Sequence, residues 1–489
     1  MTVAPILTRE LSLSENFLRF RTATRFYRNF QVTATYSQSL GANLDVLFHA
    51  LRKTLLDYHI LICNVFTESG KKGAFFRPLS KATLADLLVL KDGKSYLTDG
   101  TINEKFMKEV NETIFKHEIE SPLFRLILVG EFDLCAVFEH TMADGVVGNY
   151  FHQILLDNLA YVQDPENYTM LVSDYGIDIK SQVSMNSVIF EYAADVRHLR
   201  NSLPPPIDSF LADPDVDYSG NDPEYFDKVV PTDYVGKKWQ GRFMPTWDYT
   251  LSFKLLNFTP TETKQILAKC KVQGVTLTSY IAIIHIFTMQ PVFGTECYNT
   301  HRIAMTLRRH YDANNTNSAY KELLTRENSK ILGSVAHVGF ANNMAPLSEF
   351  SWDEVRKINA NVATQISNKN AMNAFKGFKQ AYEAQDDPSS FFESQMEFPK
   401  ADASKISNLG YIKIPNYERD TGSWTITNMI FSQDVSPTTA EFMLNVVSTP
   451  IGGLNFVLTY YDHRFDDVDL DNFDGLVAKL KENMLKYSQ

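Results

Sequence analysis

His140 and Asp144 are the residues of this 489-residue chain whose types and spacing best suit chemistry. They lie in Glu139-His140-Thr141-Met142-Ala143-Asp144-Gly145, an HxxxDG run. An imidazole, with an ordinary pKa of about 6.5, can both take and return a proton near neutral pH, which is general acid–base chemistry. An apolar stretch over 134–138 ends at the histidine, and a helical pattern starts near Val146. The pair therefore falls on a tight strand-to-helix turn, from which an imidazole can project into a cleft. Gly145 is expected to relieve the steric demand of that turn. The competing role for His140 is structural, as a strand-end histidine bonded to backbone. A bare HxxxD is a weak pattern: the chain holds 11 histidines, and His463 and Asp467 repeat the spacing. Context has to decide.

Other site signatures are missing. No GxSxG, GxGxxG, GxxxxGK[ST] or HExxH run occurs, so serine-hydrolase, Rossmann, P-loop and zincin chemistry lose their local support. Cys63, Cys135, Cys270 and Cys297 are scattered without a CxxC pair. That argues against a zinc site or a disulfide framework, and no metal or redox cofactor is implied. The net charge of −11 argues against nucleic acid as a partner. No apolar run of about 18 residues reads as a membrane-spanning helix. The first 16 residues lack a basic flank followed by an apolar stretch. An intracellular, cytoplasmic protein is the expectation. With 44% hydrophobic and 21% charged residues, there is ample material for large cores.

The elements that must carry the motif alternate along the chain. Helical spacing covers 13–30, 44–58 and 103–115, and strand patterns cover 31–37, 60–66, 123–129 and 134–139. A helix follows Gly145 through 161. Residues 201–250 hold Pro204-Pro205-Pro206 and many Asp, Tyr and Gly, which marks a crossover between halves. The second half repeats the alternation. Strands are expected over 249–256, 303–308, 331–340, 425–431, 442–448 and 453–461, and helices over 261–270, 277–289, 352–369 and 470–487. Polar loops are expected over 310–326 and 368–406. The alternation favours an α/β architecture with mixed sheets.

The segment FDLCAVFEHTMADGVVGNYFHQIL resembles the active-site motif of the CoA-dependent acyltransferase superfamily. That superfamily includes chloramphenicol acetyltransferase, the plant BAHD enzymes, peptide-synthetase condensation domains and the fungal alcohol acetyltransferases. Further pieces follow in the superfamily's order: the apolar helix over 276–289, Met305-Thr306-Leu307-Arg308 as its NxR-type strand, Ser407-Asn408-Leu409-Gly410, then a last strand and helix. The likeness spans most of the chain and is greatest to the fungal alcohol acetyltransferases, which begin with an Arg- and aromatic-rich helix followed by a strand like QVTATYS. There are departures. The DFGWG box of the plant enzymes is absent, Thr306 replaces the Asn of NxR, and Glu139 stands where condensation domains carry a second His.

The resemblance implies two chloramphenicol-acetyltransferase-like halves, each a mixed sheet flanked by helices, with the active site in a tunnel between them. The halves would be 1–200 and 251–489, joined by 201–250. His463 and Asp467 would be the degenerate, structural counterpart of the motif in the second half. His140 would act as general base in a ternary complex, without an acyl-enzyme. Asp144 would brace the loop through a salt bridge with Arg308. Ser407 and Asn408 are the candidates for oxyanion and substrate positioning; an ordinary turn is the other reading of Ser-Asn-Leu-Gly. The donor would be acetyl-CoA as co-substrate, with no permanently bound cofactor. The acceptor would be a hydrophobic alcohol or a sphingoid-type amino alcohol, giving an ester or an amide. Two alternatives remain: a non-catalytic acyl-CoA or lipid-binding protein of the same fold, and a transferase using a carrier-bound donor. A monomer is expected. The helix over 13–30 fits either a membrane surface, at the endoplasmic reticulum or lipid droplets, or the first core helix; its interleaved arginines favour the core.

Overall fold

Helix α1 (Leu13–Ala23) is set at both ends by its own residues. Ser12 caps it, with the Glu15 side chain reaching back to the Ser12 amide at 2.9 Å. The helix expected over 13–30 stops early, because Arg25 turns left-handed at φ 59°. The amides of Arg25 and Phe26 then bond the carbonyls of Thr22 and Arg21, each at 2.9 Å. This is a Schellman closure, normally made by glycine. The chain leaves it directly into strand β1 (Phe30–Tyr36).

The computed structural model describes residues 5–68, 73–206, 229–241, 249–310, 333, 337–367, 388–400, 402–418, 422–461 and 470–489. His463 and Asp467 lie outside them, as do 207–228 and 242–248 of the proline-rich stretch. Two units divide the chain. One comprises Met1–Leu211, Arg308–Ala336 and Tyr411–Phe431; the other comprises Ala212–Leu307, His337–Gly410 and Ser432–Gln489.

In the first unit, helix α2 (Leu44–Asp57) is followed by β2 (Leu88–Lys91), α3 (Glu104–Asn111), the hairpin strands β3 (Phe124–Val129) and β4 (Asp133–Phe138), and α4 (Gly145–Val162). β4 runs antiparallel to both β1 and β3, while β2 is parallel to β3. The sheet order is Ile426–Gln433, β1, β4, β3, β2. All six residues of β4 are buried, which fits its near-continuous apolar run in the middle of the sheet. Helix α4 packs against α2 and β1.

In the second unit, β5 (Leu251–Phe258) is followed by helices α5 (Pro260–Val272) and α6 (Leu277–Thr288). Then come β6 (Asn299–Thr306), β7 (His337–Met344), α7 (Trp352–Ser367), β8 (Asp402–Tyr411), β9 (Ala440–Thr449), β10 (Gly453–Tyr461) and α8 (Leu470–Lys486). The mixed sheet runs β5-β10-β9-β8-β6-β7, with β8 parallel to β6. Helix α6 buries Ile281, Ile283, Ile284 and Ile286 and packs against α5, α7 and α8. Among the described residues, no single helix is long and apolar enough to cross a membrane.

β8 corrects part of the sequence reading, in which a polar loop runs to 406 and an ordinary turn is one of the two readings of 407–410. Its polar residues looked like loop chemistry, but partners on β6 satisfy them. Ser404 Oγ is 2.7 Å from His301 Nδ1, and Arg302 Nε donates to Asp402 Oδ2 at 2.8 Å. A polar strand is stable in a sheet interior when its side chains are paired there.

Candidate active site

Strand β4 delivers His140. The Glu139 amide still bonds the Leu123 carbonyl at 2.9 Å, and the chain then turns over His140–Met142. Asp144 is extended, at φ −120° and ψ 174°, and caps the 18-residue helix α4. Its Oδ1 accepts the Val146 and Val147 amides at 3.1 and 3.2 Å. Aspartate is a favoured capping residue, and its charge suits the positive end of the helix.

The second oxygen of Asp144 faces Arg308. Arg308 Nη1 donates to Asp144 Oδ2 at 2.6 Å, across 164 positions of sequence. Arg308 Nη2 also donates to the Gly333 carbonyl at 2.9 Å, and the guanidinium lies 5.8 Å from the centre of the Tyr150 ring. Both oxygens of Asp144 are thus engaged in holding the turn, the helix and Arg308 together.

Gly145 is the first helical residue of α4 and has no left-handed φ. A tight approach falls on Gly148, where an added Cβ would stand 2.4 Å from Val32 Cγ2. Helix α4 can approach β1 this closely only because that position has no side chain. Beside it, His152 ties helix to strand. Its Nε2 is 2.9 Å from the Val32 carbonyl and its Nδ1 is 3.0 Å from the Tyr36 hydroxyl. A carbonyl only accepts, so Nε2 carries the proton and Nδ1 accepts from Tyr36. Burial pushes the His152 pKa down to about 4.

His140 is only 4% exposed. It meets Tyr27 and Phe30 edge-on, at centroid distances of 5.3 and 5.6 Å. Phe30 in turn stacks on Phe138. The Arg21 guanidinium lies over the other partner, Tyr27, at 4.2 Å. Sequence reasoning missed this aromatic wall. Its residues precede the motif by more than 100 positions, and only the β1–β4 pairing, Phe30 opposite Phe138, carries them there.

Glu139 has no exposed surface, and its carboxylate accepts three hydrogen bonds. Thr22 Oγ1 donates to Oε1 at 2.5 Å, Thr141 Oγ1 to Oε1 at 2.9 Å, and the Thr141 amide to Oε2 at 2.7 Å. His117 Nε2 lies 3.8 Å from Oε1, an ion-pair distance and not a hydrogen bond. Burial pushes the Glu139 carboxyl up, but His117 and the two hydroxyls outweigh it and leave the group below its ordinary value.

The other candidates belong to the second unit. Ser407 and Asn408 lie on β8. Asn408 Nδ2 donates to Thr278 Oγ1 at 3.0 Å, and its Oδ1 accepts the Gly410 amide at 2.8 Å. Much of that amide's capacity is therefore spent locally. His140, Asp144 and Arg308 are brought together within the first unit. Among the described residues, no group of three or more His, Cys, Asp or Glu side chains could hold a metal ion.

The sequence profile described as alcohol acetyltransferase matches residues 93–484. No curated protein matches the sequence. A trichothecene 15-O-acetyltransferase from Fusarium sporotrichioides superposes with a TM-score of 0.63 at 13% identity, over 98% of this chain and 95% of that one. Polyketide synthase associated protein 5 from Mycobacterium tuberculosis gives 0.57 at 12% identity, over 98% of each chain. The epimerization domain from the third module of tyrocidine synthetase B gives 0.58 at 13% identity, over 100% and 98%. At these identities the superpositions establish a shared fold.

Proposed function

The chain belongs to the alcohol acetyltransferase family, and on that premise we propose that it moves an acetyl or short acyl group from CoA to the hydroxyl or amine of a hydrophobic acceptor. The observation that carries this reading is His140 itself. It stands at the end of a central strand, on a turn held rigid by Asp144 and Arg308.

His140 takes the proton of the acceptor O–H or N–H as the heteroatom attacks the thioester carbonyl. The tetrahedral intermediate places negative charge on the former carbonyl oxygen, which needs a hydrogen-bond donor. Ser407 and Asn408 are the candidates for that donor, and Asn408 already commits one proton to Thr278. Collapse breaks the C–S bond, and the CoA thiolate takes back the proton from the His140 imidazolium. No acyl-enzyme forms, so no serine or cysteine nucleophile is required. The Tyr27 and Phe30 rings beside His140 suit an apolar acceptor.

The test is to incubate the protein with acetyl-CoA and a panel of short alcohols, sterols and sphingoid bases, following free thiol. Thiol release that requires an acceptor supports direct transfer. CoA binding without release from any acceptor points to a non-catalytic binding protein. Neither binding nor release would remove the reading altogether.

A further inference from the structure

We propose that Glu139 is a positioning residue: its buried carboxylate clamps the His140 turn to the last turn of helix α1. This rests on His140 being the base, since the turn it holds is the one that presents that imidazole. The carboxylate reaches forward past His140 and across to α1. Two of its three hydrogen bonds go forward to Thr141, on the far side of His140. The third comes from Thr22 in α1, 117 positions away. His140 is thus bracketed by a residue whose side chain closes over it onto the next backbone amide.

Helix α1 supplies the other half of the frame. Arg21, next to Thr22, covers Tyr27, and Tyr27 meets the His140 ring edge-on. The same helical turn therefore touches the imidazole's aromatic wall and anchors the backbone that bears it. His117, in the connection after α3, brings its Nε2 to 3.8 Å from the same carboxylate. A hydrophobic residue at 139 would leave the Thr141 amide and two hydroxyls without acceptors in a site closed to water. Such a shell fixes the angle from which the imidazole meets the attacking atom, and small errors there cost rate rather than affinity.

The experiment compares Glu139→Gln, Thr22→Val and Thr22→Ser in the full chain. It measures kcat and KM together with hydrogen exchange at the Thr141 amide. Glu139→Gln keeps the shape but turns one acceptor into a donor. It should lower kcat about 10- to 100-fold while both KM values stay within about threefold. Thr141 exchange should quicken at least about tenfold. Thr22→Val should show a smaller loss of the same kind, and Thr22→Ser, which restores the hydroxyl, should recover parental kcat. Parental kcat and parental Thr141 exchange in Glu139→Gln would overturn the proposal. So would a Thr22→Ser variant as impaired as Thr22→Val. The exchange reading needs no turnover. If His140→Ala kept its rate, the base assignment would fall while the clamp would still be judged.

Discussion

At the residue scale, Asp144 does two jobs that one substitution can separate. Asn keeps a capping oxygen for the Val146 and Val147 amides but loses the charge facing Arg308; Ala loses both. Leaving a buried partner uncompensated typically costs about 3–5 kcal/mol. A missing cap adds about 1 kcal/mol. Urea midpoints should therefore rank the parent above Asp144→Asn and that above Asp144→Ala, and an Asn variant as stable as the parent would contradict the ion pair. Asp133 gives a prediction of opposite sign. Burial pushes its carboxyl up to about 6, against the pull of the Thr35 hydroxyl, which donates to it at 2.6 Å. The folded state then holds this proton more tightly than the unfolded chain, whose carboxyl titrates near 3.9. Stability falls as pH rises from about 4 to 6, and the penalty is complete above that. Asp133→Asn should raise stability at pH 8 by up to about 2 kcal/mol and change little at pH 4. An equal gain at both pH values would rule out titration as the cause.

At the element scale, the motif was the most legible part of the chain. The 134–139 run and the helix after Gly145 appear within a residue or two as β4 and α4. Their signals are local: an apolar run, a break and a helical period. What failed depended on partners distant in sequence. β8 reads as loop until His301 and Arg302 are brought beside it, and Gly148 has no visible purpose until Val32 lies underneath. The end of α1 was missed because a non-glycine residue makes its left-handed turn. That position should accept glycine. Arg25→Gly is expected to stabilise the protein by about 1 kcal/mol, since the left-handed region costs a side-chain-bearing residue about that much. A lower melting temperature would mean that the Arg25 side chain contributes more than its backbone strain costs. Gly148→Ala should destabilise by about 1–3 kcal/mol through overpacking. Adding Val32→Ala should recover part of that loss, and a double variant no better than the single one would place the clash elsewhere.

At the scale of the whole molecule, both units keep neutral histidines in their interiors. Burial lowers His59 and His152 to about 4 in the first unit. In the second it lowers His301 to about 3, with His285 also well below its ordinary value. Unfolded, each would titrate near 6.5, so the folded state refuses protons that the unfolded chain accepts. Their contribution is complete above pH 6.5 and is lost as pH falls toward 4, at about 1.4 kcal/mol per pH unit for each histidine. Urea unfolding at pH 7.5, 6 and 5 should show this decline, and a flat profile would contradict it. The family assignment extends over most of this molecule, yet the proposed chemistry narrows to one imidazole. The decisive measurement is thiol release from acetyl-CoA with a responsive acceptor, comparing parent and His140→Ala at matched fold and stability. General base removal should lower kcat about 100- to 10,000-fold with little change in KM for acetyl-CoA. Parental turnover in the alanine variant would contradict the account.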